Sequence, residues 1–166
     1  MNPKEKGNKE ERKQAKQLSI WMFNDPDVLK RHSSSGADKS VYSGDIVPMK
    51  QLDQFGWKNF NFLIEVKSGY AKDKPNFWNY EKISRWYRKA VLEGNQAKQT
   101  NIILICQFKN MQALFITNNH FNGKIMFNIC IPVHMYNGEI EYAYVYYLKD
   151  VLKCKFTELF DEINRQ

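Results

Sequence analysis

The sequence predicts a mixed α/β domain, a central β-sheet with helices packed on it, and three observations lead there. Apolar residues recur with helical spacing in some stretches and with a period of two in others. Residues 101–108 (NIILICQF) are almost wholly apolar at their centre, as in a strand buried on both faces. Asn-Gly pairs at 122–123 and 137–138 are hairpin signals in the second half of the chain. The order of elements is helix, three extended segments, helix, several strands, helix.

Taken in order, residues 8–23 read as a helix in which Glu11, Ala15, Leu18 and Met22 share one face. Asp25-Pro26 stops it. Residues 28–32 are extended and lead into a polar loop that begins Ser33-Ser34-Ser35-Gly36 and runs to about residue 43. Gly44 precedes a brief strand, Asp45-Ile46-Val47, and residues 51–57 turn the chain into a stronger strand at 59–68. There Phe60, Phe62, Ile64 and Val66 take one face, while Leu63, Glu65 and Lys67 take the other. After a loop at 69–79, residues 80–93 form a second helix with Ile83, Trp86, Tyr87, Ala90 and Val91 as its apolar stripe, closed by Gly94-Asn95. Strands follow at 101–108 and 113–117, then two joined through the Asn-Gly turns at 124–133 and 139–148. Phe156, Leu159, Phe160 and Ile163 form one face of a last helix.

A chain of 166 residues has the length of one domain, so residues 1–166 are expected to be a single unit, with the chemistry in about 8–110 and additional strands and a helix in 111–166. No apolar run reaches the roughly 20 residues of a membrane helix, and the charged N-terminus has no apolar stretch of a secretory signal. A cytoplasmic protein is expected. Cys106, Cys130 and Cys154, odd in number and widely spaced, read as reduced thiols, two of them in the core.

The net charge of +7 is unevenly spread. Residues 1–110 carry 20 Lys/Arg against 12 Asp/Glu, and residues 111–166 carry 5 against 6. A basic excess confined to the first two-thirds suits a polyanion such as nucleic acid, although a solvated lysine-rich surface has the same composition. Lys82, Arg85 and Lys89 line one face of the second helix and either track a DNA backbone or are simply solvated. Trp78, Tyr80 and the tyrosines at 142, 144, 146 and 147 could stack on bases, or pack a sheet or a dimer interface. His32, His120 and His134 make no metal-ligand spacing.

The chemically unusual feature is a carboxylate and a lysine two residues apart on one strand face. Burying either charge alone is costly, and a divalent cation resolves the cost. Asp45 and Glu65 would supply hard oxygen ligands to Mg²⁺ or Mn²⁺. Lys67 would orient a water or offset charge on a phosphate. Hydrolysis of a phosphodiester is the reaction these parts suit.

With these motifs in place, the chain resembles the PD-(D/E)xK nuclease superfamily, and within it most closely the archaeal and phage Holliday-junction resolvases. The likeness covers about the first 110 residues. Lys6-Gly7 and Glu11-Arg12 are similar to their K-G-x-x-x-E-R start, and Arg31 with Ser34-Ser35-Gly36 to an Arg followed by a Ser-Gly pair. Gly44-Asp45-Ile46-Val47 matches their metal-binding strand, with glycine where proline is common, and Leu63-Ile64-Glu65-Val66-Lys67-Ser68 matches L-I-E-V-K-S. The segment after Asn110 has no counterpart in the compact resolvases.

The resemblance implies a restriction-endonuclease-like fold. It also implies an Mg²⁺-dependent endodeoxyribonuclease acting on branched DNA such as four-way junctions. A junction's two scissile strands, related by a two-fold axis, make a homodimer the economical form. The resemblance assigns the metal to Asp45, Glu65, the Val66 backbone carbonyl and, through water, Glu11, and it gives Lys67 a catalytic part. Arg31, Ser34 and Ser35 would contact DNA; Lys82, Arg85 and Lys89 would join them on the charge of their helix face, not on the resemblance. A restriction-type or repair nuclease on duplex DNA, and a non-catalytic DNA-binding module, are the alternatives on the same fold.

Overall fold

A computed structural model of the chain describes residues 3–32, 42–69, 80–126 and 129–160. Helix α1 (Pro3–Phe23) leads into strands β1 (Leu29–Arg31) and β2 (Ile46–Pro48), and a 3₁₀ turn (Asp53–Phe55) precedes β3 (Phe62–Gly69). Helix α2 (Glu81–Gln96) and strands β4 (Asn101–Phe108), β5 (Leu114–Thr117), β6 (Ile129–His134) and β7 (Ile140–Tyr147) follow. Two single-turn helices, α3 (Leu148–Val151) and α4 (Phe156–Leu159), come last.

Among the described residues, all seven strands join one sheet in the order β1-β2-β3-β4-β5-β7-β6. Its central pair, β3 and β4, is parallel and is connected through α2; the other pairings are antiparallel. The predicted mixed α/β architecture is therefore the observed one. A core forms on each face. Ala15, Leu18 and Met22 of α1 meet Phe62, Ile64 and Val66 of β3 on one side. On the other, Ile83, Tyr87, Ala90 and Val91 of α2 meet Leu63 of β3. Strand β4 feeds both cores, Ile103 and Ile105 to the first and Ile102, Leu104 and Cys106 to the second, which is why its sequence shows no alternation.

Several expectations are corrected. Helix α1 starts at Pro3 rather than near residue 8, since proline fits a helix's first turn, where its missing N–H has no partner to lose. It ends at Phe23, where Asn24 takes a left-handed conformation (φ 55°) and donates its N–H to the Ile20 carbonyl. Helix α2 runs past Gly94-Asn95 to Gln96. The Asn137-Gly138 hairpin joins β6 to β7 as expected. Asn122-Gly123 turns locally, with φ of 41° and 77°, but joins no hairpin. Strand β5 is already paired on both sides, by β4 and β7, so the chain after it crosses over and β6 forms at the outer edge.

The expected last helix is instead the two short turns α3 and α4, and Ile163 lies outside the described residues. Phe156 and Phe160 nevertheless pack against Trp21 and Phe62, and the Trp21 indole N–H donates to the Cys154 carbonyl at 2.8 Å. The segment without a resolvase counterpart thus completes the core beneath α1. One cysteine, not two, is fully buried: Cys106 sits in the core while Cys130 and Cys154 are partly exposed, and all three are free thiols.

Candidate active site

The site lies where β2 parts from β3. The two strands share a single paired position, Ile46 with Ile64. Just before it, Gly44 has φ 104°, which L-residues rarely adopt. A Cβ there would stand 2.7 Å from the Ile64 carbonyl oxygen, inside van der Waals contact. Proline, whose ring holds φ near −65°, could not take this conformation, so the departure from the resolvase motif has a local backbone cause.

The bend swings Asp45 onto β3. Its N–H donates to the Ile64 carbonyl and its Oδ2 accepts the Val66 N–H, each at 2.8 Å. A side-chain carboxylate thus stands in for the main-chain partner that Val66 loses at the fork. A strand residue presents its N–H and C=O to the same neighbour, so the Val66 carbonyl also faces this side, next to Asp45.

Glu65 and Lys67 rise from the face of β3 that carries Leu63, and they stand opposite Leu104 and Cys106 of β4. This is the α2 side of the sheet. Lys67 Nζ donates to Glu65 Oε2 and lies 3.9 Å from Asp45 Oδ2. Two carboxylates therefore converge on one ammonium, with Glu65 only 8% exposed.

Burial, reinforced by the nearby charge of Asp45, pushes the Glu65 carboxyl above its ordinary range against the pull of Lys67. Glu93 on α2 adds to the rise. For Lys67 burial acts to lower the pKa, but the charge and hydrogen bond of Glu65, with the charge of Asp45, outweigh it and leave the ammonium held more firmly than usual. A buried acid such as Glu65, whose ionised form is disfavoured until a cation arrives, suits a donor set for a hard divalent ion. Among the described residues no group of three or more His, Cys, Asp or Glu gathers to hold a metal. The fit thus rests on two carboxylates and a main-chain oxygen, with the remaining positions left for water and phosphate.

The other predicted residues are placed as follows. Glu11 lies on the predicted face of α1, where its Oε2 accepts from Arg31 Nε at 2.6 Å. Arg31 stands in register with Ile46, whose side chain enters the α1-side core, so this ion pair is on the sheet face opposite Glu65 and Lys67. No hydrogen bond or ion pair links the two groups among the described residues. On α2, Arg85 and Lys89 are exposed, Lys89 pairs with Glu93 at 3.2 Å, and Lys82 lies 5.6 Å from the Trp86 ring centre. Ser34, Ser35 and Trp78 fall outside the described residues. Of the tyrosines, Tyr146 is fully buried and Tyr142 is half exposed.

The contacts of two residues, His32 and Gln99, were not visible in the sequence. His32 donates its backbone N–H to the Asp45 carbonyl at 2.8 Å, and its ring Nδ1 lies 3.2 Å from the Gly44 carbonyl oxygen. A carbonyl can only accept, so that nitrogen carries the proton. Gln99, between α2 and β4, is 1% exposed and is bonded on both sides of its amide: Oε1 accepts from the Ser43 N–H at 2.8 Å and Nε2 donates to the Phe62 carbonyl at 2.6 Å. Extended strand spacing announces neither set, because each is made to main chain distant in sequence.

A family model described as "Phage putative PDDEXK endonuclease" matches residues 2–166. Comparison with curated proteins returns no match, and neither does comparison with solved structures.

Proposed function

Because the chain belongs to that phage PD-(D/E)xK endonuclease family, we propose that it is a metal-dependent DNA endonuclease whose chemistry is carried by Asp45, Glu65 and Lys67. The observation that carries this reading is the convergence of two carboxylates on one lysine at the fork of β2 and β3. Asp45, Glu65 and the Val66 carbonyl would hold the cation, Mg²⁺ or Mn²⁺. When bound, the ion supplies positive charge to the phosphate and lowers the pKa of a water on it.

Lys67 stays protonated at neutral pH, which favours orienting a water or offsetting phosphate charge over accepting a proton. Arg85, Lys82 and Lys89 lie on the helix that covers the same sheet face as Glu65 and Lys67, and they are proposed to follow the DNA backbone. Ser34 and Ser35 are assigned to the phosphate on the resemblance alone. For Glu11 the resemblance gives a water-mediated place in the metal shell, whereas its ion pair supports a structural part, holding Arg31 of β1 against α1.

The finer substrate assignment is branched DNA. Two scissile strands related by a two-fold axis would call for a homodimer, which sedimentation would detect. The test is cleavage of a panel of four-way junction, flap, duplex and single strand, with and without Mg²⁺ or Mn²⁺. Asp45→Asn and Lys67→Ala should each abolish cleavage and leave DNA binding largely intact. Binding of every substrate without cleavage of any would instead establish the non-catalytic module, and cutting of linear duplex alone would establish the restriction-type or repair enzyme.

A further inference from the structure

The geometry points to Gln99 as the positioning residue for the Asp45 carboxylate, an inference that rests on the nuclease reading of the site. Ser43-Gly44-Asp45 reaches β3 with little ladder to hold it, since β2 and β3 share one paired position. His32 at the end of β1 holds the Gly44 and Asp45 carbonyls on one side, and three contacts tie the segment to β3 on the other. At one end Gln99 clamps the Ser43 N–H to the Phe62 carbonyl, and at the other Asp45 bonds to the Ile64 carbonyl and the Val66 N–H. Between them lies Gly44, whose positive φ and close approach to Ile64 leave the backbone few alternatives.

An uncharged amide is the side chain suited to that clamp. The Ser43 N–H can only donate and the Phe62 carbonyl can only accept, so the bridging group must accept at one atom and donate at the next. A carboxylate lacks the donor, an ammonium lacks the acceptor and an apolar side chain lacks both. Gln99 is itself firmly anchored. Its N–H donates to the Gly94 carbonyl at 2.8 Å, and a Cβ at position 94 would come within 2.5 Å of the Gln99 carbonyl oxygen. Gly94 therefore takes part in the helix's C-terminal cap, in which the Gln99 and Lys98 N–H groups return to the Gly94 and Asn95 carbonyls, and it leaves room for Gln99 to approach α2. The order of support runs from α2 through Gln99 and Ser43 to Asp45, and the last step can be read at the Val66 amide.

The test compares wild type with Gln99→Met, which keeps the length and loses both hydrogen bonds. Mn²⁺ alone is titrated calorimetrically, amide hydrogen exchange is followed at Asp45 and Val66 in metal-free protein, and cleavage is measured against Mn²⁺ concentration. Groups that orient metal ligands are worth about 10–100-fold in affinity, so the variant should bind Mn²⁺ about tenfold more weakly. Its half-saturating Mn²⁺ for cleavage should rise by the same factor and its rate should recover at saturating Mn²⁺, while the Asp45 and Val66 amides exchange faster than the rest of β3.

A merely structural glutamine would lower the folded fraction without moving the half-saturating Mn²⁺. Unchanged Mn²⁺ affinity and unchanged Val66 protection in folded Gln99→Met would overturn the inference. Should Gln99→Met fail to fold, Gln99→Asn keeps the amide, is one methylene too short to span both partners, and is judged by the same measurements. Failure of the nuclease reading is a separate result, wild type neither binding Mn²⁺ nor cutting DNA. The Val66 exchange in the variant would still decide whether Gln99 positions Asp45.

Discussion

At the scale of the residue, the raised carboxyl of Glu65 has a consequence for stability. Its ordinary value is 4.5, and burial followed by the charge of Asp45 lifts it in the folded chain. The folded state therefore holds this proton more tightly than the unfolded state. That stabilisation is complete below the ordinary carboxylate range and is lost as pH rises through the lifted value. In metal-free protein, Glu65→Gln should gain on wild type in melting temperature as pH rises above the ordinary carboxylate value of 4.5, until the lifted carboxyl is fully ionised. Parallel curves across that range would exclude Glu65 as the group responsible. Cys106, directly across from Lys67 on β4, is pushed up to about 12 by burial, so its thiolate is not formed at neutral pH. Mass spectrometry after alkylation should find Cys130 and Cys154 modified in the native protein and Cys106 only after unfolding. The placement of Glu65 and Lys67 was legible because a period of two is a property of the strand itself. Gln99 was not, because its partners are main-chain groups 56 and 37 residues away.

At the scale of the element, the fork between β2 and β3 is a backbone device. Gly44 and Gly56 both have positive φ, but a Cβ at 56 meets nothing within 4 Å. Gly56→Ala therefore carries the conformational cost alone, about 1 kcal/mol. Gly44→Ala adds a collision with β3 and should cost about 3 kcal/mol. Denaturant midpoints of the two variants test the difference, and equal losses would remove the close approach from the account of β2. The same scale shows what turn chemistry reveals. Asn122-Gly123 and Asn137-Gly138 look alike as dipeptides, and both fold into tight turns. Whether a turn becomes a hairpin depends on a free edge for the next strand, and β5 has none. That is a property of the sheet, absent from any short window of sequence. Strand β6, by contrast, is the sheet's outer edge and carries Pro132, which lacks the N–H that edge pairing with another chain would use.

At the scale of the whole molecule, sheet order sorts the charges. Glu65 and Lys67 share a sheet face with α2, whose outer side carries Arg85 and Lys89, while Glu11 and Arg31 neutralise each other on the opposite face. If α2 follows a DNA backbone, the association constant should fall with salt at a log–log slope of about −0.9 per phosphate contacted. Replacing both Arg85 and Lys89 by Ala should flatten that slope by about two. A slope unchanged by the double substitution would move the DNA to another surface. The uneven charge of the sequence foretold a basic region, but not its division between two faces, which follows from the pairing of Arg31 with Glu11. The role of residues 111–166 was equally hidden. Their aromatic side chains complete a core begun by α1, and only the assembled sheet brings those two ends of the chain together.

Asp45 holds two offices at once, since its carboxylate faces the proposed cation and also replaces a missing strand partner for Val66. Descendants of such a protein that abandoned cleavage would still need an acceptor at this position, and aspartate would outlive the activity. Glu65 and Lys67 have a different dependence: each compensates the other's buried charge, so drift would remove them together. Among homologous phage sequences, the state of that pair, rather than the presence of the aspartate, should separate working nucleases from lapsed ones.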